Sequence, residues 1–124
     1  MLPRRSRLTR PGDYRAVMRR GEGPPRIRRR AGTELLVVHV AMPAPTLPTR
    51  PPRVGFVVSK AVGNSVVRHR VVRRLRALVA QRLALLPDGC DVVVRAQPPA
   101  AGASSAELAE ALDHALGRTV LVTS

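Results

Sequence analysis

The hydrophobic positions along this chain follow two spacings, and each spacing predicts a different element. Apolar residues at helical intervals predict three helices, at residues 8–20, 64–86 and 106–116. Compact β-branched runs predict three strands, at residues 35–40, 53–59 and 88–96, the last beginning with a turn. The long helix between two strands favours a βαβ unit in a mixed sheet.

Residues that start and stop helices support these boundaries. Asn64 is a good N-cap for the long helix, and Pro87 predicts its end. Ser104 followed by Glu107 fits a capping box for the last helix, which Gly117 is predicted to end. Both long helices therefore have a defined start in the sequence.

Two segments between the elements predict loops. Residues 21–32 are rich in turn-forming Gly and Pro. Residues 41–53 contain five prolines, so they predict a stiff extended loop that joins strands 35–40 and 53–59 as neighbours. Residues 120–122 are interpreted as a short strand or a frayed tail. The length of 124 residues predicts one domain spanning 1–124, with this proline-rich loop inserted.

The net charge of +14 exceeds what solubility requires and indicates a polyanionic partner. The charge is uneven, because residues 1–86 contain 20 of the 22 basic residues and only three of the eight acidic ones. Lys60 is the only lysine. Arginine suits RNA, since its planar fork matches phosphate and its flat face stacks on bases.

The long helix places its apolar and basic residues on opposite sides. One side carries Val67, Val71, Leu75, Leu78 and Arg82. The other carries His69, Arg73 and Arg76, flanked by Arg70 and Arg74, with Arg68 near the apolar edge. Like charges at this spacing repel, and no acidic residue between Glu34 and Leu86 offsets them. A polyanion explains this face better than simple solvation, and RNA, DNA and an anionic membrane all remain open.

Several classes of function fit poorly. The single Cys90 excludes an intramolecular disulfide and is interpreted as a buried apolar residue, and no Cys/His cluster offers a zinc site. A nuclease with its own metal site needs paired carboxylates, which the basic region lacks. DNA binding is less favoured, because no helix-turn-helix pattern appears. No secretory signal or membrane span is predicted, so a cytoplasmic protein is expected.

One long motif resembles a known family. The sequence RVGFVVSKAVGNSVVRHRVVRRLR, residues 53–76, is similar to the strand and arginine helix of the bacterial ribonuclease P protein family. LTRPGDYRAVMRRG and DVVVRAQPPAA resemble the first helix and the later strand of that family. Three departures stand out: His69 replaces a usual Asn, Val72 a usual Lys, and Met18 and His39 stand where aromatic residues are common.

The resemblance implies an α+β fold of order α-β-β-β-α-β-α, similar to the second domain of ribosomal protein S5, with a left-handed βαβ crossover. It implies a protein subunit of ribonuclease P, which binds the catalytic RNA and the 5′ leader of precursor tRNA. Hydrolysis with Mg²⁺ would belong to the RNA subunit, with no catalytic residue or metal site in the protein. No membrane and no obligate protein partner are expected. The alternative is a structural RNA-binding protein of ribosomal type, without a role in cleavage.

Site residues follow by position in the motif. Those expected to bind the RNA subunit are Lys60, Asn64, Arg68, His69, Arg70, Arg73, Arg74 and Arg76. Lys60 is a candidate for a phosphate or metal-ligand contact. Those expected to bind the precursor-tRNA leader are Tyr14, Met18, His39 and Phe56. Alternatives to RNA binding stay open for three of these residues. His69 is equally consistent with simple exposure to solvent, and Tyr14 and Phe56 are also consistent with packing in the core.

Overall fold

Four strands form one mixed sheet in a computed structural model, which describes residues 2–9, 14, 17, 26–43 and 50–120. The strands are β1 (Arg28–Gly32), β2 (Leu36–Ala41), β3 (Arg53–Val57) and β4 (Asp91–Ala96). Their order across the sheet is β1-β2-β4-β3. The β1–β2 and β2–β4 pairs are antiparallel, and the β3–β4 pair is parallel. The fold is a single α+β domain, as expected.

Two predictions about the strands are wrong. Residues 28–32 form β1 rather than part of a loop, because backbone pairing with β2 holds this arginine-rich segment extended. Strands β2 and β3 are not neighbours, because β4 lies between them. Strand β4 is almost wholly buried, and a strand covered on both faces belongs at the centre of a sheet.

Two long helices, α1 (Ser65–Ala80) and α2 (Ser105–Thr119), pack into the larger core. Helix α1 contributes Val71, Leu75 and Val79, which join a cluster containing residues of β2, β3 and β4. Helix α2 packs against β1 and β2. The predicted βαβ unit is confirmed as β3–α1–β4, with the two strands parallel and adjacent. The handedness of its crossover stays a prediction.

Both helices end at positions other than those predicted. Helix α1 stops at Ala80 rather than residue 86, because the chain tightens where the Arg82 backbone N–H donates to the Val79 carbonyl at 2.8 Å. A 3-10 helix follows at Leu83–Leu85. Helix α2 continues through Gly117 to Thr119, whose buried hydroxyl donates to the Ala115 carbonyl at 2.8 Å. The capping box of Ser104 and Glu107 is confirmed.

A smaller cluster covers the other face of the sheet. It contains Leu8, Val17, Ala41 and Val93, with Tyr14 packed against them. Of the predicted helix at 8–20, Tyr14 and Val17 are helical, Leu8 is not, and residues 10–13, 15–16 and 18–20 lie outside the described residues. The Leu8 backbone N–H instead donates to the Val54 carbonyl at 3.0 Å, so the N-terminal segment runs along the edge of β3.

A buried carboxylate gathers three arginines at the start of β4. Asp91 accepts from Arg26 at 2.8 Å, from Arg50 at 2.9 Å and from Arg53 at 2.9 Å. Burial acts to raise the pKa of Asp91, but hydrogen bonds from Arg53 and Arg26 and the nearby positive charges outweigh it, so the pKa is lowered. Arg26 also donates to the Met42 carbonyl at 2.8 Å. The cluster therefore connects the start of β3 with Met42 and Arg50, which lie before and after residues 44–49; these six residues are outside the described part of the chain.

Candidate nucleic-acid interface

The start of helix α1 is defined by two adjacent residues. The Asn64 side chain accepts a hydrogen bond from the backbone N–H of Val67 at 3.0 Å, which caps the helix. A Cβ at Gly63 would lie 2.8 Å from a Val67 methyl carbon, so only glycine fits this close approach. Asn64, predicted to bind RNA, thus has its side-chain oxygen engaged in the cap. The positive end of the helix dipole is exposed beside it.

The outer face of helix α1 is a row of exposed basic side chains. His69, Arg73 and Arg76 are exposed, as the helical spacing predicts. None of them forms an ion pair with a carboxylate in the part of the chain that the structure describes. Lys60 is also exposed, in the turn that leads from β3 towards the helix. Arg73, Arg76 and Lys60 therefore present positive charge to solvent without a carboxylate partner among the described residues.

Arg70 and Arg74 occupy a different position. Arg74 donates to the Ala103 carbonyl at 3.0 Å, and Arg70 reaches the Ala101 carbonyl at 3.5 Å. Both arginines are half-buried and tie α1 to the 3-10 helix at Pro98–Gly102 and the residue that follows it. They therefore hold the helix in place while leaving their charge beside the exposed row. Arg68 is half-buried as well, and its Nε has no hydrogen-bond partner among the described residues.

A groove of about 650 Å³ runs along the same helix. It is lined by Arg7, His69, Val72, Arg73, Arg76 and Ala77, and we call it the α1 groove. Arg7 comes from the N-terminal segment, where its Nε donates to the Leu2 carbonyl at 3.0 Å. Arg7 was not among the predicted site residues, because the bridge between Arg7 and Val54 that positions it joins distant parts of the chain.

The residues predicted to bind the leader divide between the two faces of the sheet. Tyr14 packs on the smaller cluster, and its hydroxyl donates to the Leu8 carbonyl at 3.1 Å. Phe56 packs against the larger core on the opposite face. Both nevertheless line a cavity of about 270 Å³ at the edge of β3, together with Arg7 and Arg76. Met18 lies outside the described residues.

His39 lies further across the face that carries Tyr14. It is paired with Arg30 of β1 and with Val93 of β4, and partners across a sheet project to the same side. Its pKa is lowered by burial and then by the charges of Arg30 and Arg95. Its Nε2 is buried without a hydrogen-bond partner among the described residues. His39 therefore offers a neutral imidazole between two guanidinium groups.

The described part of the chain holds neither a metal-binding cluster nor a membrane-spanning helix. No group of three or more His, Cys, Asp or Glu side chains there could hold a metal ion. No helix there is long and apolar enough to cross a bilayer.

The family model described as Ribonuclease P matches residues 2–120. The chain belongs to the ribonuclease P protein family. It is 51% identical over 123 residues to the ribonuclease P protein component of Streptomyces avermitilis, covering 95% of this chain and 94% of that protein. It is 52% identical over 125 residues to that of Streptomyces griseus, with the same coverage.

Solved structures agree on the fold. The RNase P protein of Staphylococcus aureus superposes with a TM-score of 0.72 at 21% identity, covering 90% of this chain and 92% of that one. The RNase P protein of Thermotoga maritima gives 0.70 at 18% identity, covering 97% and 100%. The ribonuclease P protein family supplies the protein subunit of the enzyme that processes the 5′ end of tRNA. The chain is therefore a ribonuclease P subunit.

Proposed function

We propose that the exposed face of helix α1 binds the RNA subunit of ribonuclease P. The observation that carries the proposal is the row of His69, Arg73 and Arg76, exposed and without a carboxylate partner among the described residues. Such a face repels itself in the free protein, whereas RNA phosphates neutralise it and release counterions. Lys60 and the helix N-terminus extend the same positive surface towards β3.

We propose further that the 5′ leader of precursor tRNA lies against the sheet, near Tyr14 and His39. The Tyr14 ring supplies a stacking surface for an unpaired base, and the half-buried His39 imidazole lies on the same face of the sheet. Arg30 and Arg95 flank His39 and offer charge for the leader phosphates. Phe56 takes part only from the edge of β3, because its ring packs on the opposite face.

Hydrolysis, with Mg²⁺, is assigned in this proposal to the RNA subunit. The side chains proposed for the interface carry guanidinium, ammonium, imidazole and phenol groups, and none of these is the carboxylate oxygen by which proteins usually hold Mg²⁺. The protein contributes affinity for RNA and substrate, and partial neutralisation of phosphate charge. In this proposal the protein works in the cytoplasm, with the RNA subunit and precursor tRNA as its partners.

Reconstitution tests the proposal. The protein, a bacterial ribonuclease P RNA and a precursor tRNA are combined at low Mg²⁺, where the RNA alone is slow. Cleavage at the mature 5′ end is expected only when protein and RNA are both present. Absence of stimulation would favour the structural RNA-binding alternative, and cleavage by the protein alone would contradict the assignment of hydrolysis to the RNA.

Two variants test the two surfaces separately. Arg73→Ala with Arg76→Ala should weaken binding of ribonuclease P RNA and lower the salt slope by roughly one to two units, at about 0.7–0.9 for each lost phosphate contact. Arg118→Ala, an exposed arginine on helix α2, is the matched control. Tyr14→Ala should weaken binding of precursor tRNA but not binding of mature tRNA. Equal loss for both tRNAs would mean that Tyr14 only supports the fold.

A further inference from the structure

Two cavities meet at the outer edge of strand β3. The α1 groove, of about 650 Å³, extends along helix α1. The cavity of about 270 Å³ reaches Tyr14 and Gly55. Arg7, Val72 and Arg76 line both cavities, so the two adjoin, and we call them together the edge cleft. No acidic residue is among the described residues that line it.

The edge cleft joins the two surfaces that are proposed to bind RNA. One end contains His69 and Arg73, which belong to the exposed face of α1. At the other end the Tyr14 ring lies so close to the Gly55 backbone that a Cβ there would overlap it. Gly55 and His39 are both paired with Val93 of β4, so this end opens on the sheet face that carries His39. A ligand that fills the cleft therefore touches both surfaces.

Arg7 is held in place where the two cavities meet. Its Nε donates to the Leu2 carbonyl at 3.0 Å, which orients the guanidinium plane and leaves the two terminal nitrogens for a further acceptor. The bridge between Arg7 and Val54 fixes its backbone beside β3. Arg7 is half-buried, so a phosphate bound there costs little additional side-chain freedom.

We infer that the leader nucleotides next to the cleavage site pass through the edge cleft, where Arg7 and Arg76 bind their phosphates. The inference rests on the proposed function, in which the RNA subunit lies on α1 and holds the cleavage site, and the leader lies near Tyr14 and His39. The leader is one continuous strand, so it has to cross from the first surface to the second. A positively charged cleft suits the backbone of a single strand.

Crosslinking from the protein tests this path. Thr9 is exposed and lines the cleft, and the native Cys90 is buried. Thr9→Cys, carrying a short photoreactive group on its thiol, is assembled with the RNA subunit and precursor tRNA. It should crosslink to leader nucleotides next to the cleavage site. Arg30→Cys, at an exposed position opposite His39, should crosslink to nucleotides further along the leader. Ser105→Cys, exposed on α2, is the control and should not crosslink to the leader.

The length of the leader gives a second measurement. Arg7→Gln should weaken binding of precursor tRNA to the holoenzyme about tenfold, even with the shortest leaders, because a charged hydrogen bond near the cleavage site is lost. Tyr14→Ala should weaken binding only when the leader is long enough to reach the sheet face. Arg7→Gln should also lower the salt slope by about 0.7, whereas Arg118→Gln should change neither affinity nor slope. Urea unfolding of each variant checks that the fold is intact.

The outcomes separate this inference from the proposed function. The path is refuted if Thr9→Cys crosslinks only to distant leader nucleotides or only to the RNA subunit. It is also refuted if Arg7→Gln binds precursor tRNA with a short leader as tightly as wild type does. In either case a crosslink from Arg30→Cys to the leader would still support the proposed leader surface. If neither Thr9→Cys nor Arg30→Cys crosslinks to the leader, the proposed leader surface fails as well.

Discussion

Replacing Asp91 by asparagine should destabilise the protein more than any other single charge change in the described residues. The Asp91 side chain is 2% exposed and accepts from three arginines, and the Arg26 side chain is only 4% exposed. Asp91→Asn removes the one negative charge of the cluster and leaves three positive groups together. Breaking a buried ion pair by removing one partner costs about 3–5 kcal/mol. That is a large part of the total free energy of unfolding of a small domain, about 5–15 kcal/mol.

Urea unfolding followed by circular dichroism measures the effect. With a denaturant slope of about 2 kcal/mol per molar urea, the midpoint should fall by about 1.5–2.5 M. Asp113→Asn is the matched control, because Asp113 pairs with Arg82 but its side chain is 56% exposed. A pair so exposed contributes about 0–1 kcal/mol, so the control midpoint should fall by no more than about 0.5 M.

The pH dependence gives a separate check on the same reasoning. The pKa of Asp91 is lowered in the folded protein relative to its ordinary value of 3.8. Its contribution to stability is therefore complete above about pH 4 and is lost as the pH falls through the folded pKa. The difference between wild type and Asp91→Asn should narrow below pH 4. Equal midpoints for the Asp91 and Asp113 variants at pH 7 would refute the view that the cluster is a buried, stabilising one.

Three other predictions concern the sheet, the thiol and the last helix. A Cβ at Gly55 would overlap the Tyr14 ring. Gly55→Ala should therefore lower the free energy of unfolding, measured with urea, by about 1–3 kcal/mol, and by much less in a Tyr14→Ala background. Burial raises the pKa of the Cys90 thiol to about 12, so an alkylating reagent at pH 8 should leave folded protein unmodified and label unfolded protein; equal rates would contradict this. Ser104→Ala removes the cap of α2 and should lower stability by about 1 kcal/mol, measured by thermal unfolding beside an unaffected Ser105→Ala control.

The starts of the two helices could be predicted from the sequence, because capping residues next to each helix mark them. The Gly-Asn pair at residues 63–64 marks the start of α1, and Ser104 with Glu107 marks that of α2, because each uses side chains within a few residues of the helix. Strand β1 was missed because three of its five residues are arginine, and only pairing with β2 makes it a strand. The order of strands was missed for the same reason, since it depends on partners far along the chain.

In the candidate site too, features set by nearby residues were predicted, whereas features set by distant partners were not. Helical spacing predicted that His69, Arg73 and Arg76 share an exposed face, which the structure confirms. It could not separate them from Arg70 and Arg74, whose partners are carbonyls of Ala101 and Ala103, about 30 residues away. Uncompensated charge in the N-terminal segment is the only sequence signal for Arg7, and many other arginines share it.

The position of β4 in the sheet has a consequence for synthesis of the chain. Strands β1 and β2 can pair as soon as residue 41 is available, but among the strands β3 is paired only with β4. The apolar side of α1 packs in a core that includes β4, so part of the surface that covers this side is synthesised after the helix. The core on the apolar side of the arginine helix is therefore incomplete until residue 96 has been made. Closure of the domain is therefore a late step that depends on long-range contacts.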